Sequence, residues 1–302
     1  MCQVTACNIH PHIEQETHVA SVNTDNLADR PDLLITPADR SNIWHYVCEI
    51  LAFRELLGFF IWRDLLIRYR QTALGVAWVL FQPLTQATVL WWLIGRRLFP
   101  EQEDSLYPLQ VFAGTTFWIY AANSIMGSIH QLSGSGNLIT KVYFPRAILA
   151  IAPCLVHILD LGLCSVLLLL GLIYYQAITW YLLSLPLCYL GMVIFTMGPA
   201  MLIGILAARY RDVKYLAPYF VQLWVFATPA IYTPHSQVLG YTDWLISAIN
   251  PLHAWVLGTA SIIRGFLPSL NLWLLAGLSS VMYILIGLFF LVRLERNLSD
   301  HL

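Results

Sequence analysis

Five long runs of the chain contain no Asp, Glu, Lys or Arg, and this feature constrains the fold more than any other. They cover residues 71–95, 105–140, 161–208, 215–242 and 265–292. Each run is long enough for one bilayer-spanning helix of roughly 20 residues, and the third continues a segment that begins before it and must contain a turn. Only 11% of the residues are charged, whereas soluble domains average about 25%. The sequence therefore predicts an all-α integral membrane protein.

The apolar runs predict about six transmembrane helices. We place these spans at about residues 72–95, 107–130, 148–174, 180–206, 215–232 and 269–292. Pro218 and Pro229 interrupt the fifth span, and a helix broken at membrane depth must be shielded by protein. Residues 1–42 are polar, and we expect them to form a disordered cytoplasmic arm. An amphipathic interface region is expected at 43–71 and the transmembrane domain at 72–302.

Most basic residues lie beside the span ends on one side of the predicted membrane. That side receives Arg54, Arg63, Arg68, Arg70, Lys141, Arg146, Arg209, Arg211, Lys214, Arg293 and Arg296. The opposite side receives Arg96, Arg97 and Arg264. With six spans both termini share a side, and the positive-inside rule makes that side cytoplasmic. The formal net charge of -1 argues against a nucleic-acid binder, which would carry a basic stripe.

Residues 59–70 predict an amphipathic helix in the cytoplasmic headgroup layer. Its apolar residues are Phe59, Trp62, Leu65, Leu66 and Tyr69. Arg63 and Arg70 lie on one flank of this face, and Asp64 and Arg68 lie four residues apart on the other. One interpretation is a simple anchor that leads into the first span. The other is a surface that binds a partner or an anionic lipid head, because Arg guanidinium groups suit phosphate oxygens.

The cytoplasmic loop between the second and third spans has an unusually apolar sequence. Gly134 and Gly136 permit a tight exit from the membrane, and Pro145 ends or redirects the element. The residues of interest are Leu138, Ile139, Lys141, Val142, Tyr143, Phe144, Pro145 and Arg146. Leu138, Ile139, Val142, Tyr143 and Phe144 present an apolar surface, which either binds a partner or folds against its own helix bundle. On the residues alone, the second interpretation is favoured.

Asp160 is the one acidic residue inside the predicted spans, and His157 precedes it by three residues on the same helical face. A carboxylate at bilayer depth costs at least about 2.5 kcal/mol unless it meets a partner or water. We therefore expect Asp160 to face the bundle or a channel. Interhelical hydrogen bonding is one interpretation of this pair, and a proton relay is the other.

On the outer side, aromatic residues gather at the ends of the first spans, as in an interfacial belt. Tyr107, Phe117 and Trp118 are candidates for lining an exit on this side. Residues 233–268 are too apolar for a free loop, and Asn250-Pro251 divides them into two short amphipathic helices. We expect both helices to re-enter the outer leaflet.

Several ordered motifs lie between about residues 53 and 252. They are the run at 62–84, Phe112-Ala-Gly114 with Phe117-Trp118, Asn137 to Arg146, Tyr210 to Tyr215, Gln222-Leu-Trp224, Thr228-Pro229 with Ile231-Tyr232, and Asn250-Pro-Leu252. Together they resemble one known family, the permeases of type-2 ATP-binding-cassette (ABC) exporters of bacterial polysaccharides. That group includes the permeases for O-antigen, capsule and teichoic acid.

The resemblance implies a homodimer in the bacterial inner membrane that forms a channel for lipid-linked polysaccharide. Two copies of a separate ATPase, which bind ATP and Mg²⁺, would drive it. Residues 138–146 would dock on that ATPase, residues 59–70 would form the cytoplasmic gate, and Asn250 and Pro251 would belong to the outer gate. The residues agree that ATP is bound elsewhere, because neither Lys141 nor Lys214 lies in a phosphate-binding loop.

Other functions stay open on the sequence alone. A related exporter of a small lipid or drug is one alternative, and a proton-coupled secondary transporter that uses His157 and Asp160 is another. A membrane-embedded enzyme is disfavoured, because Asp160 alone offers an acidic group inside the spans. We predict no catalytic residues, no metal site and no cofactor bound by this chain.

Overall fold

The computed structural model describes residues 43–70, 77–95, 105–134, 144–229 and 241–299, and all regular structure in these ranges is helical. The α-helices are α1 (Ile43–Ala52), α2 (Arg54–Arg70), α3 (Ala77–Val89), α4 (Tyr107–Gly134), α5 (Ala147–Val156), α6 (Ile158–Tyr174), α7 (Leu185–Arg209), α8 (Arg211–Leu223), α9 (Tyr241–Ile249), α10 (Pro251–Ile263) and α11 (Leu270–Ser299). A π-helical turn, Leu90–Gly95, follows α3, and 3₁₀ turns Trp180–Ser184 and Trp224–Ala227 lie before α7 and after α8.

Three helical segments in the described ranges are long and apolar enough to cross a membrane. They are Ala147–Tyr174, Trp180–Arg209 and Leu270–Glu295. These segments coincide with the third, fourth and sixth predicted spans. The second predicted span corresponds to α4, which has spanning length with 28 residues. For the first and fifth spans, residues 72–76 and 230–232 lie outside the described ranges, so the total of six stays a prediction.

The centre of the fold is the packing of α7 against α4 and α11. Gly198 of α7 permits the closest approach, because a Cβ there would lie 2.5 Å from the main-chain carbonyl of Tyr283 in α11. Small residues at such a crossing let two helix backbones meet, which is how helices pack where lipid replaces water. Polar side chains of α4 also face this core, with Thr115, Ser124 and Ser128 fully buried.

The helix on the predicted fifth span differs from the expectation in detail. Pro218 lies inside α8 without ending it, and α8 gives way to a 3₁₀ turn only after Leu223. Proline in a helix removes one donor and bends the axis, and neighbouring helices compensate for the lost bond. The interruption therefore comes later than the position of Pro218 suggests.

The chain divides at Asn250-Pro251 into α9 and α10, as the sequence predicts. Pro251 takes the first helical position of α10, where its missing N–H costs no hydrogen bond. The prediction that both pieces are amphipathic is wrong for α10, because nearly every one of its side chains is buried against α4, α7 and α11. Residues 1–42 lie outside the described ranges, and the expectation of a disordered arm stays a prediction.

Candidate functional site

Helix α2 packs against α5, and its inner and outer sides differ in character. Phe60 is buried, while Phe59, Trp62, Leu66 and Ile67 are exposed. Asp64 and Arg68 follow Phe60 at intervals of four residues and turn toward the protein. The bundle side of α2 therefore carries charges, and much of its outer side is apolar, including Phe59, Trp62 and Leu66 of the predicted apolar face. This arrangement suits a helix whose outer surroundings are lipid.

Four side chains from α2 and the α5–α6 joint form a polar cluster around Asp160. Nη1 of Arg68 donates to Oδ2 of Asp160 at 2.5 Å, and the Tyr69 hydroxyl donates to Oδ1 at 2.9 Å. Nδ1 of His157 lies 2.7 Å from Arg68 Nη1 and 2.8 Å from Asp160 Oδ2. Since one ring nitrogen carries either a proton or a lone pair, it accepts from Arg68 or donates to Asp160, but not both. Both carboxylate oxygens of Asp160 are thus occupied.

The position of this cluster explains its composition. Asp160 lies midway along Ala147–Tyr174, where an unpaired carboxylate would be expensive. The Arg68 side chain is 30% exposed and that of Asp160 is 14% exposed, so the pair is largely withdrawn from solvent. Burial, together with the adjacent Asp160 carboxylate, raises the pKa of Tyr69 to about 12. At neutral pH the phenol therefore keeps the proton that it donates.

A small cavity of about 20 Å³ adjoins the Asp160 cluster. Its polar lining comes from four helices and consists of Arg68, Gln82, Thr116, Asn123 and Asp160. A polar cavity of this size has room for about one water molecule, which needs two to four such partners. Sequence reasoning missed Gln82 and Asn123, because residues on different helices cannot be assigned to one cavity from spacing alone.

A second polar contact holds α2 one turn earlier. Arg63 donates from Nε and Nη2 to Oδ1 of Asp64 at 2.9 and 2.8 Å, and Gln131 of α4 donates to the other oxygen of Asp64. The Arg63 guanidinium also lies over the Phe60 ring, 4.7 Å from its centroid. Arg70 is exposed at the end of α2. Among the four charged residues predicted for this helix, Arg70 is the one that projects outward.

The predicted docking loop is described only from Phe144 onward, and Leu138, Ile139, Lys141, Val142 and Tyr143 lie outside the described ranges. Phe144 is 5% exposed, and its ring centroid lies 6.0 Å from that of Phe60. Phe144 therefore does not present an exposed surface to a partner. Pro145 and Arg146 are also buried. For these three residues the loop folds against its own bundle, which is the interpretation that the residues alone favour.

The predicted exit residues lie in the interior of the subunit. Tyr107, Phe117 and Trp118 are 2%, 1% and 9% exposed, and the Trp118 indole donates to the Val221 carbonyl at 3.2 Å. Asn250 is buried and donates from Nδ2 to the Ala227 carbonyl at 3.1 Å, which ties the α9–α10 break to the end of the 3₁₀ turn after α8. Pro251 is buried beside it. A role for these residues in an outer gate stays a prediction.

Comparison with known proteins decides the family. A family model described as ABC-2 type transporter matches residues 55–264, from the first turn of α2 to the end of α10. The chain belongs to the ABC-2 type transporter family. As an ABC-2 transporter with several apolar helices, it is a multi-pass membrane protein. Across the described ranges, no three His, Cys, Asp or Glu side chains come close enough to hold a metal ion.

Curated relatives of this ABC-2 chain include two permeases of bacterial O-antigen export systems. The O-antigen export system permease protein RfbA of Myxococcus xanthus is 28% identical over 210 residues, which cover 68% of this chain and 79% of that protein. The protein of the same name from Klebsiella pneumoniae is 24% identical over 199 residues, which cover 65% of this chain and 74% of that protein. The Asp160 cluster lies within residues 55–264, the part of the chain that the family model matches.

Proposed function

We propose that this ABC-2 chain is the permease subunit of an exporter that moves a lipid-linked polysaccharide out of the bacterial cytoplasm. The observation that carries the proposal is the family match over residues 55–264, together with relatives named as O-antigen export permeases. The chain lies in the inner membrane with both termini cytoplasmic. ATP is hydrolysed by a separate ABC ATPase, as membership of the ABC-2 family implies, and two copies serve the two subunits of a homodimer. The chain's own two lysines lack a phosphate-binding loop around them.

The ATPase docks on residues 138–143 in this proposal. Phe144, Pro145 and Arg146 end the same segment in the packed interior, so they anchor it rather than touch the partner. This arrangement suits force transmission, because a docking segment transmits force to the helices only if the residues at its end are held in place. Tyr143 and Phe144 are neighbours with different expected roles, and this difference gives the test below.

The glycan path lies between two copies of the chain rather than within one. The candidate exit residues Phe117 and Trp118 are packed in the interior of the subunit, and the cavity beside Asp160 holds about one water. A sugar chain needs far more room than that. A homodimer provides this space between its two subunits. Phe117 and Trp118 then support the channel wall from the interior of each subunit.

Arg70, which is exposed at the end of α2, attracts the anionic head of a diphosphate lipid carrier at the cytoplasmic gate. Arg63 and Arg68 have a different role, since their guanidinium groups are already paired with Asp64 and Asp160. Trp62 is 63% exposed and covers the lipid-facing side of the gate. Reversing Arg70 to Glu is expected to lower surface polysaccharide in cells that carry only this copy, whereas Arg211→Glu, which reverses another exposed arginine, leaves it unchanged. Equal export in both variants would remove the lipid-head role.

The ATPase partner is tested by affinity purification of the tagged chain from its own bacterium. We expect an ATP-hydrolysing subunit to copurify with the wild type and with an exposed-site control, Glu55→Gln, and to be lost in Tyr143→Asp. Phe144→Asp is unsuitable for this test, because burying a charge beside Phe60 damages the fold. Recovery of wild-type chain without any ATPase, from cells that export normally, would refute the proposal.

Transport by the purified complex in vesicles separates this function from its rivals. We expect export of polysaccharide to require ATP and to be indifferent to a pH gradient. Movement of cargo by the permease alone under a pH gradient would favour the proton-coupled alternative. That alternative has one structural observation behind it, the contact of His157 with Asp160 at 2.8 Å, but Arg68 and Tyr69 already occupy the carboxylate. Export of a small lipid or drug in place of glycan would identify the other rival.

A further inference from the structure

Three segments that are far apart in the sequence meet around the carboxylate of Glu295 in α11. The Tyr46 hydroxyl of α1 donates to Oε2 of Glu295 at 2.7 Å, and it accepts from the N–H of Ala147, the first residue of α5, at 3.4 Å. Nε of Arg146 lies 3.9 Å from Oε1 of Glu295. All three side chains are buried: Tyr46 is 1%, Glu295 4% and Arg146 7% exposed.

A buried carboxylate is retained only where its charge is compensated. Within the described ranges, the charge of Glu295 is compensated by the Arg146 guanidinium, the Tyr46 hydroxyl and the positive end of the α5 dipole. Apolar neighbours of the same cluster, including Phe144 and Leu291, enclose this group. The enclosure keeps water out, so the contacts are not exchanged for hydration when the surrounding helices move.

The location of this cluster gives it a consequence for transport. Arg146 ends the segment that docks on the ATPase in the proposed function, while Tyr46 and Glu295 lie outside the part of the chain that matches the family, 55–264. One polar cluster thus ties the root of the docking segment to both the first and the last described helix. A push on that segment therefore reaches α1, α5 and α11 together.

We propose that Tyr46 and Glu295 are positioning residues for energy coupling. They fix Arg146 and the start of α5. ATP-driven displacement of the docking segment then moves α1, α5 and α11 as one body, and the chain does not bend at Arg146. This inference rests on the proposed function. A purely stabilising role would lower the amount of folded complex and leave the number of ATP molecules hydrolysed per exported glycan unchanged. A positioning role changes that ratio.

The test compares Tyr46→Phe and Glu295→Gln with two controls at exposed positions, Tyr174→Phe and Glu55→Gln. Each variant replaces the chromosomal copy, and surface polysaccharide is measured in cells. The permease is then purified with the ATP-hydrolysing subunit that accompanies it, and ATP hydrolysis is measured per folded complex. We expect both cluster variants to keep the complex and to hydrolyse ATP within about twofold of wild type. Export should fall about tenfold, because the loss of one hydrogen bond to a charged group changes an equilibrium by about that factor.

Two results would overturn the inference: export equal to the controls, or export and ATP hydrolysis that fall together with the amount of folded complex. Tyr46→Phe removes a single oxygen atom, so it carries the test if Glu295→Gln does not accumulate. Failure of the proposed function has a different signature, since the wild type itself would then copurify without an ATPase or export no glycan.

Discussion

The ion pair between Arg68 and Asp160 should hold α2 against the third span, and Asp160→Asn tests this directly. The amide is nearly isosteric with the carboxylate but leaves Arg68 without its anion at a distance of 2.5 Å. Removing one partner of a fully buried pair costs about 3–5 kcal/mol. Because the Arg68 side chain is 30% exposed, solvent screens part of this, and we expect a loss of about 2–3 kcal/mol in the free energy of unfolding.

The assay is reversible unfolding of the purified protein in mixed micelles with increasing fractions of a denaturing detergent. Wild type, Asp160→Asn, Arg68→Met and the double variant form a thermodynamic cycle. Groups in direct contact couple, so the two losses should overlap by about 1.5–2 kcal/mol. Asp212→Asn, at an exposed position of α8, is the matched control and should stay within about 0.5 kcal/mol of wild type. A coupling free energy below about 0.5 kcal/mol would refute the reasoning, because such a value is no larger than the scatter for independent sites.

Three further substitutions test the packing of the fold in the same unfolding assay. Gly198→Ala places a Cβ 2.5 Å from the main chain of α11 and should cost about 1–3 kcal/mol, whereas Gly277→Ala, where a Cβ meets nothing within 4 Å, should cost much less; equal effects would contradict the close crossing. Phe144→Ala should cost about 3–5 kcal/mol if the ring is core, and a negligible loss would return Phe144 to the docking surface. Trp255→Phe removes the bond from Nε1 to Ser280 Oγ, 3.0 Å long, and also the buried ring atoms that pack against Gly191, so it should cost at least about 1.5 kcal/mol; an unchanged stability would mean that neither the bond nor the packing contributes.

The elements of this fold are largely readable from the sequence. The predicted spans 148–174 and 180–206 differ by a few residues from Ala147–Tyr174 and Trp180–Arg209, and the break at Asn250-Pro251 falls where predicted. Each of these features depends on one stretch of chain: its length, its lack of charge, or a proline at its start. Such local requirements are visible without knowledge of the neighbours.

The partners of charged residues are not readable in the same way. The cost of an unpaired carboxylate predicts that Asp160 has a partner, but the chain has 16 Lys and Arg residues, and nothing in the spacing selects Arg68, which is 92 residues away in the sequence. Tyr46 and Glu295 are 249 residues apart and gave no signal at all. Pairs of this kind are set by the topology of the bundle, which the hydropathy pattern leaves undetermined.

The exposure of apolar side chains is the second property that the sequence predicts poorly. The reason is that some of these side chains face lipid and others face water. In water an apolar run in a loop indicates burial or a partner, and Phe144 satisfies the first where the second was expected. Next to lipid, apolar side chains are stable on either side of a helix, so the hydrophobic pattern of α2 does not tell its inner face from its outer one. The charged residues Asp64 and Arg68 mark the inner face instead.

Phe60, Asp64 and Arg68 form one line along α2, since residues four apart in a helix lie above one another. Each makes a contact of a different kind: an aromatic contact with Phe144, a hydrogen bond from Gln131 and an ion pair with Asp160. The line spans about 12 Å at a rise of about 1.5 Å per residue. Helix α2 is continuous between these contacts. A bend in α2 between Phe60 and Arg68 would therefore alter at least one of the three contacts.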